Sequence, residues 1–167
     1  KARPGAIFVA VHGLALDGNS FISDAIERGA RYVIVEESLE RSWSKYVSDS
    51  TDVAFIAVPS ARIALAEAAA GFYNHPAQKL GMVGVTGTDG KTTTTHLIAH
   101  VLNACGLRAG YLSSVEFGVG GAVEMNATHM TTMEANEVQR YLAQIRDVGG
   151  NHAVVEASSI GLDLHRV

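Results

Sequence analysis

An apolar run, Met82-Val83-Gly84-Val85-Thr86, passes directly into Gly87-Thr88-Asp89-Gly90, then into Lys91-Thr92-Thr93 and a helical pattern reaching about Ala104. A strand that turns through glycines into a helix opening on Gly-Lys-Thr commits the chain to an α/β fold with a phosphate site at a strand end. Glycines let the backbone approach a phosphate closely and turn its N–H groups inward. The helix start adds the positive end of its dipole. Lys91 is placed to reach the β- and γ-phosphates of a nucleotide, and the Thr92 hydroxyl to ligate Mg²⁺. The strict spacing G-x-x-x-x-G-K-[ST] is not met, because Val85 stands five before Gly90 and the glycine sits one place earlier, at Gly84. The alternative is a glycine-rich turn with a chance Gly-Lys-Thr. Strand, loop, lysine, hydroxyl and helix in that order favour ATP.

The rest of the chain repeats the strand–helix alternation. Ile7 to Val11 predicts a strand, Phe21, Ile22, Ala25 and Ile26 a helix closed by Gly29, and Tyr32 to Val35 a buried strand. Trp43 and its charged neighbours read as a surface connection. Val53 to Ala57 predicts a strand, followed by an alanine-rich helix ending near Tyr73. Asn74-His75-Pro76 is the expected domain boundary, since the residue before proline resists helix. Beyond the phosphate loop, Ala109 to Leu112 predicts a strand, and Val115 to Met125 a hairpin interrupted at Gly118-Val119-Gly120-Gly121. Met133 to Val148 predicts a helix with Val138, Tyr141, Leu142 and Ile145 on one face. Ala153 to Glu156 predicts a strand ending in a carboxylate. Such alternation calls for a parallel sheet with helices on both faces.

Composition narrows the partners. The 167 residues are 47% hydrophobic and carry a formal net charge of −4, enough for one compact domain or two small ones. No basic surplus marks a nucleic-acid surface. No apolar stretch reaches the roughly 20 residues of a membrane helix, so no membrane association is expected. Cys105, the one cysteine, fits a reduced, cytoplasmic setting, and its apolar surroundings predict a packing role. Among the histidines only His96 and His100 have metal-ligand spacing, and no third ligand accompanies them.

The wording from Gly84 to Thr95 resembles the ATP loop of the Mur ligases, and the MurE type in particular. Pro4 to Ala10 and Asp17 to Ile22 are similar to that family's N-terminal UDP-binding domain, and Phe72 to Pro76 to its link into the central domain. Thr131-Thr132 with Glu134 resembles one further family segment. Glu156-Ala157-Ser158-Ser159, Gly161-Leu162 and His165-Arg166-Val167 resemble another.

The resemblance implies a small N-terminal α/β UDP-muramoyl-binding domain over 1–75 and the first part of a P-loop-type, parallel-sheet ATPase domain over 76–167. It implies an ATP-dependent ligase that adds the third amino acid, meso-diaminopimelate or L-lysine, to UDP-N-acetylmuramoyl-L-alanyl-D-glutamate in peptidoglycan precursor synthesis. Carried over by position, Gly87, Thr88, Asp89, Gly90, Lys91, Thr92 and Thr93 bind ATP. Thr92 and Glu156 hold Mg²⁺ and act with Lys91 in catalysis. Thr131, Thr132, Ser158 and Arg166 contact the UDP-muramoyl substrate. The loop Leu14-Ala15-Leu16 would offer its main chain to the uracil. Each assignment has a plainer rival: an edge carboxylate for Glu156, a turn cap for Ser158, a surface charge for Arg166, and a helix N-cap for Thr131-Thr132.

Asp89 stands where the family usually has Asn, Met133 where it has proline, Ile160 where it has histidine, and Ser113-Ser114 where a Gly-Thr pair is common. The family's uridine-seating Asp-Ser-Arg segment would precede Lys1. Its carbamylated lysine and amino-acid-reading domain would follow Val167. The chain therefore reads as part of a longer protein, a monomer, with the part expected to be inactive alone and open to self-association through an unpaired sheet edge. Two other functions fit the loop: another ligase of the superfamily, such as a folylpolyglutamate or cyanophycin synthetase, and a noncatalytic nucleotide-binding module.

Overall fold

The computed structural model describes residues 3–13, 16–48, 52–128 and 130–167. The chain divides into two compact units, Lys1–Leu65 and Ala66–Val167.

The first unit holds a three-stranded parallel sheet, β1 (Ile7–Val9), β2 (Tyr32–Glu36) and β3 (Ala54–Val58), in that order. Helix α1 (Ile22–Glu27) follows a 3-10 turn whose N-cap, Asp17, accepts from the Asn19 N–H. Its turn into β2 uses Gly29 at φ +91°, a backbone region that glycine enters without steric cost. Ala10, Ile22, Val33 and Val35 form the core. Trp43 is not in a surface connection. It lies in α2 (Glu40–Ser48), packs on that core, stacks on Phe55 at 6.4 Å between centroids, and donates from Nε1 to the Glu36 carbonyl at 2.9 Å. Charged residues at 40, 41 and 45 mask a helix whose apolar side is only Trp43 and Tyr46, three apart.

Helix α3 (Ala61–Phe72) crosses from one compact unit into the other, so the division by contacts falls inside it. The helix stops where Asn74 and His75 take φ of +58° and +46°, immediately before Pro76.

The second unit is built on a five-stranded sheet ordered β4-β8-β5-β6-β7. Strands β4 (Gly81–Val85), β8 (His152–Glu156) and β5 (Ala109–Leu112) run parallel. Strands β6 (Glu116–Val119) and β7 (Ala122–Met125) form an antiparallel hairpin turning at Gly120 and Gly121, both at positive φ. The sheet is thus mixed, with a parallel core. Successive β8 side chains point to opposite faces. Ala153 and Val155 join Leu142 and Ile145 of α5 (Ala135–Asp147), while Val154 joins Ala99 of α4 (Lys91–Ala104). Val138, Tyr141, Leu142 and Ile145 are all buried, as their spacing predicts. A short helix, α6 (Ser159–Asp163), follows β8.

Cys105 does not pack in the interior. It is exposed at the C-cap of α4, at φ −81° and ψ 5°, and the 3.6-residue period places it about 120° around the helix from the buried Ala99. No helix among the described residues is long and apolar enough to cross a membrane.

Candidate functional site: a phosphate loop beside a hydroxyl–carboxylate pair

The loop from Thr86 to Gly90 leaves the C-terminal end of β4 and enters α4, whose first residue is Lys91. Gly90 is the N-cap at φ +76°, a conformation that an L side chain rarely adopts. Among the described residues, the N–H groups of Gly87, Thr88, Asp89 and Gly90 have no main-chain acceptor outside helix and strand bonding. These donors lie at the start of a fourteen-residue helix, which is the arrangement that binds phosphate. The Lys91 ammonium donates to the carbonyls of Gly87 at 2.8 Å and Thr88 at 3.0 Å, so it lies along the loop.

Glu156 ends β8 opposite Val85 in the parallel register, which brings it beside the loop. It is 3% exposed and is therefore not a solvated edge carboxylate. Its Oε2 accepts from the Thr92 hydroxyl at 3.0 Å and from the Ser114 N–H at 2.9 Å, and the two hydroxyls of Thr92 and Ser114 lie 2.9 Å apart. Thr92 and Glu156 fit a magnesium ion. Both offer hard oxygens, and adjacent vertices of an octahedron with ~2.1 Å bonds are about 3.0 Å apart. Thr88, Lys91, Thr92, Ser114, Thr131 and Glu156 line an open cleft of about 330 Å³. Another cleft, of about 340 Å³, lies beside Arg108 and Gly120, at the opposite end of the strands, and contains none of these groups.

Thr132, Ser158 and Arg166 form a second cluster, close in sequence to Thr131 and Glu156. The Ser158 N–H donates to Thr132 Oγ1 at 2.9 Å, and their hydroxyls are 3.1 Å apart. Ser158 Oγ also accepts from the Gly161 N–H at 3.0 Å, so it caps α6. Thr132 does not cap α5, because the N-cap there is Glu134. Arg166 is not a free surface charge. Its guanidinium pairs with Glu134 at 2.6 Å and donates to the Thr132 carbonyl at 3.1 Å, and its buried Nε has no acceptor among the described residues.

Two residues of this region are not evident from sequence motifs. Ser114 contacts both Thr92 and Glu156, and the departure from Gly-Thr at 113–114 is the only sequence signal for it. Asn126, 8% exposed, holds the Ser113-Ser114 main chain, and no spacing marks it. His96 Nε2 lies 3.2 Å from the Ser113 hydroxyl. Of the predicted uracil loop, Leu14 and Ala15 lie outside the described residues, and Leu16 is exposed.

Comparison with known proteins agrees with this geometry. Residues 85–167 match the Mur ligase middle domain, and residues 1–73 match the model described as Mur ligase family, catalytic domain. The chain is 42% identical over 160 residues to a UDP-N-acetylmuramyl-tripeptide synthetase of Treponema denticola, covering 96% of this chain and 29% of that protein. It is 44% identical over 164 residues to a UDP-N-acetylmuramoyl-L-alanyl-D-glutamate--2,6-diaminopimelate ligase of Chlorobaculum tepidum, covering 98% of this chain and 30% of that protein. A solved UDP-N-acetylmuramoyl-L-alanyl-D-glutamate--2,6-diaminopimelate ligase superposes with a TM-score of 0.74 at 27% identity, over 99% of this chain and 32% of the other. The chain thus spans about 30% of the length of the curated relatives it matches. With models of that family matching on both sides of the Asn74-His75-Pro76 turn, and a phosphate loop facing a buried carboxylate in the second unit, the chain belongs to the Mur ligase family.

Proposed function

We propose that the protein is an ATP-dependent acid–amino-acid ligase of the MurE type. It adds the third amino acid, meso-diaminopimelate or L-lysine, to UDP-N-acetylmuramoyl-L-alanyl-D-glutamate in the cytoplasm. The 3.0 Å contact between Thr92 and Glu156 at the mouth of the phosphate loop carries the nucleotide part of this reading, and the likeness to the tripeptide synthetases supports the MurE type. Residues 1–75 serve the UDP-muramoyl substrate, and residues 76–167 begin the ATP-binding division, with the turn at Asn74 and His75 between them.

In the reaction, the terminal carboxylate of the dipeptide takes the γ-phosphoryl group of ATP and ADP leaves. The amine of the incoming amino acid then attacks the acyl phosphate, an amide forms, and phosphate and a proton depart. Gly87, Thr88, Asp89, Gly90 and Thr93 supply the main chain that cradles the phosphates. Lys91 swings from its loop carbonyls to the β- and γ-phosphates. Thr92 and Glu156 hold Mg²⁺, which neutralises charge on the phosphates when bound. Thr131, Thr132, Ser158 and Arg166 face the muramoyl substrate. Positioning and charge supply most of the rate in such a transfer.

Calorimetric titration with ADP and ATP, with and without Mg²⁺, tests the nucleotide site in this chain. Lys91→Ala should weaken ATP binding by about 10–100-fold, the worth of a hydrogen bond to a charged group. Phosphate release by the full-length protein, dependent on both UDP-muramoyl-dipeptide and amino acid, tests the ligase reading. A chain that binds no nucleotide would refute the first, and turnover without the UDP-linked substrate would refute the second.

A further inference from the structure

The Ser113-Ser114 turn connects β5 to β6 and is held at several points. Ser113 is 2% exposed, and its hydroxyl donates to the Glu116 carbonyl at 2.8 Å while accepting from the Glu116 N–H at 3.1 Å. These bonds are local and shape the turn. Two contacts reach further: the Ser113 hydroxyl lies 3.2 Å from His96 Nε2 on α4, and the Ser114 N–H donates to Glu156 at 2.9 Å.

Asn126 ties the turn to the segment that follows β7. It follows β7, and its amide nitrogen lies 3.2 Å from the Ser113 carbonyl, 3.1 Å from the Ser114 carbonyl and 2.9 Å from the Met130 carbonyl. Its Oδ1 accepts from the Thr128 N–H at 3.0 Å and from the Thr128 hydroxyl at 2.6 Å. Its own N–H donates to the Val115 carbonyl at 2.8 Å. One buried side chain therefore fastens two segments. One carries Ser114, whose N–H and hydroxyl touch Glu156 and Thr92. The other runs through Met130 into Thr131, which lines the same cleft.

We propose that Asn126 is a positioning residue for the Mg²⁺–nucleotide site, holding Ser114 against Glu156 and Thr92 so that their oxygens stay at cation-bridging separation. The inference rests on the nucleotide reading above. The two N–H hydrogens of this amide are shared among three carbonyls, and their loss is costly where a carbonyl, such as that of Ser113, is then left without a partner away from water. Asn126 lies outside the hydrophobic cluster built on α5 and the inner strands. What the residue fixes is the direction of the Ser114 N–H. Groups that hydrogen-bond a metal ligand directly typically contribute 10–100-fold to metal affinity, and Asn126 acts one step further out, through Ser114.

The test compares ADP affinity in the presence and absence of Mg²⁺ for the wild-type chain, Asn126→Ala and Asn126→Asp, each checked for a cooperative thermal melt. Asp keeps the oxygen that Thr128 uses and lacks the amide donor. Binding without Mg²⁺ depends on the loop main chain and Lys91, so it reports an intact fold. The expected result is unchanged Mg²⁺-free affinity and a loss of about tenfold in the gain that Mg²⁺ confers, in both variants. A gain preserved within twofold in a folded variant would overturn the proposal. So would failure of both variants to fold, since Asn126 would then hold the structure rather than the site. Absence of ADP binding by the wild-type chain would sink the nucleotide reading itself, and this inference with it.

Discussion

Thr92, in the first turn of α4, donates its hydroxyl hydrogen to Glu156, at the end of β8, across 64 positions of sequence and 3.0 Å of space. Among the described residues the carboxylate has two donors and no cation as a hydrogen-bond partner. Glu156→Gln keeps an oxygen acceptor for Thr92 and Ser114 while removing the charge. It should leave the melting temperature nearly unchanged and lower the Mg²⁺-dependent gain in ADP affinity at least tenfold, as read by calorimetry.

Asp89 is exposed in the loop that precedes Lys91. Its carboxylate would repel a polyphosphate. At about 4 Å in water that repulsion is on the order of 1 kcal/mol, or about fivefold in affinity. Asp89→Asn should therefore tighten ATP binding several-fold at low salt, and the gain should shrink as added salt screens the charges. An unchanged affinity across salt concentrations would mean that Asp89 faces away from the phosphates.

Gly161 lies in α6 against Thr132. A Cβ there would approach Thr132 Cβ and Oγ1 to 2.6 Å, and a threonine Cβ cannot rotate away. Gly161→Ala should displace Thr132 from Ser158 and destabilise the chain by about 1–3 kcal/mol, the usual range for overpacking. Denaturant titration measures this. In the full-length protein, the same change should weaken binding of the proposed UDP-muramoyl substrate more than binding of ADP.

Tyr111 gives a pH signature. Burial, followed by the hydrogen bond to Glu116 at 2.6 Å and that carboxylate's charge, pushes its phenol from an ordinary value of 10.0 up to about 12. The folded state holds the proton more tightly than the unfolded chain. The stability this provides is complete below pH 10 and is lost as pH rises from 10 toward 12. Denaturation at about pH 9 and about pH 11 should show the decline, and Tyr111→Phe should reduce it. Burial also raises Tyr141, which accounts for part of the remainder.

Local pattern carried much of this structure in advance. The helix from Lys91 to Ala104 and the strand from Ala109 to Leu112 lie where apolar period and glycine placement put them. The juxtaposition of Thr92 and Glu156 was also legible, because both stand at C-terminal ends of parallel strands or just beyond. Trp43 was misread because charged neighbours hide a two-residue apolar stripe, and Cys105 because an apolar run continued past the point where its helix ends. Ser114 and Asn126 act through turns that bring main-chain carbonyls and N–H groups together. Hydrogen bonds to backbone ask little of neighbouring side chains, so they leave no period to read.

The pairing of Val85 with Glu156 serves as a ruler. A slip of one residue between β4 and β8 would shift the carboxylate by about 3.3 Å along the strand and turn it to the opposite face. No intermediate register leaves it partly beside Thr92. The site is therefore all-or-none: a partly zipped sheet has no weakened version of it, and its appearance during refolding would report the moment at which the two strands lock in step.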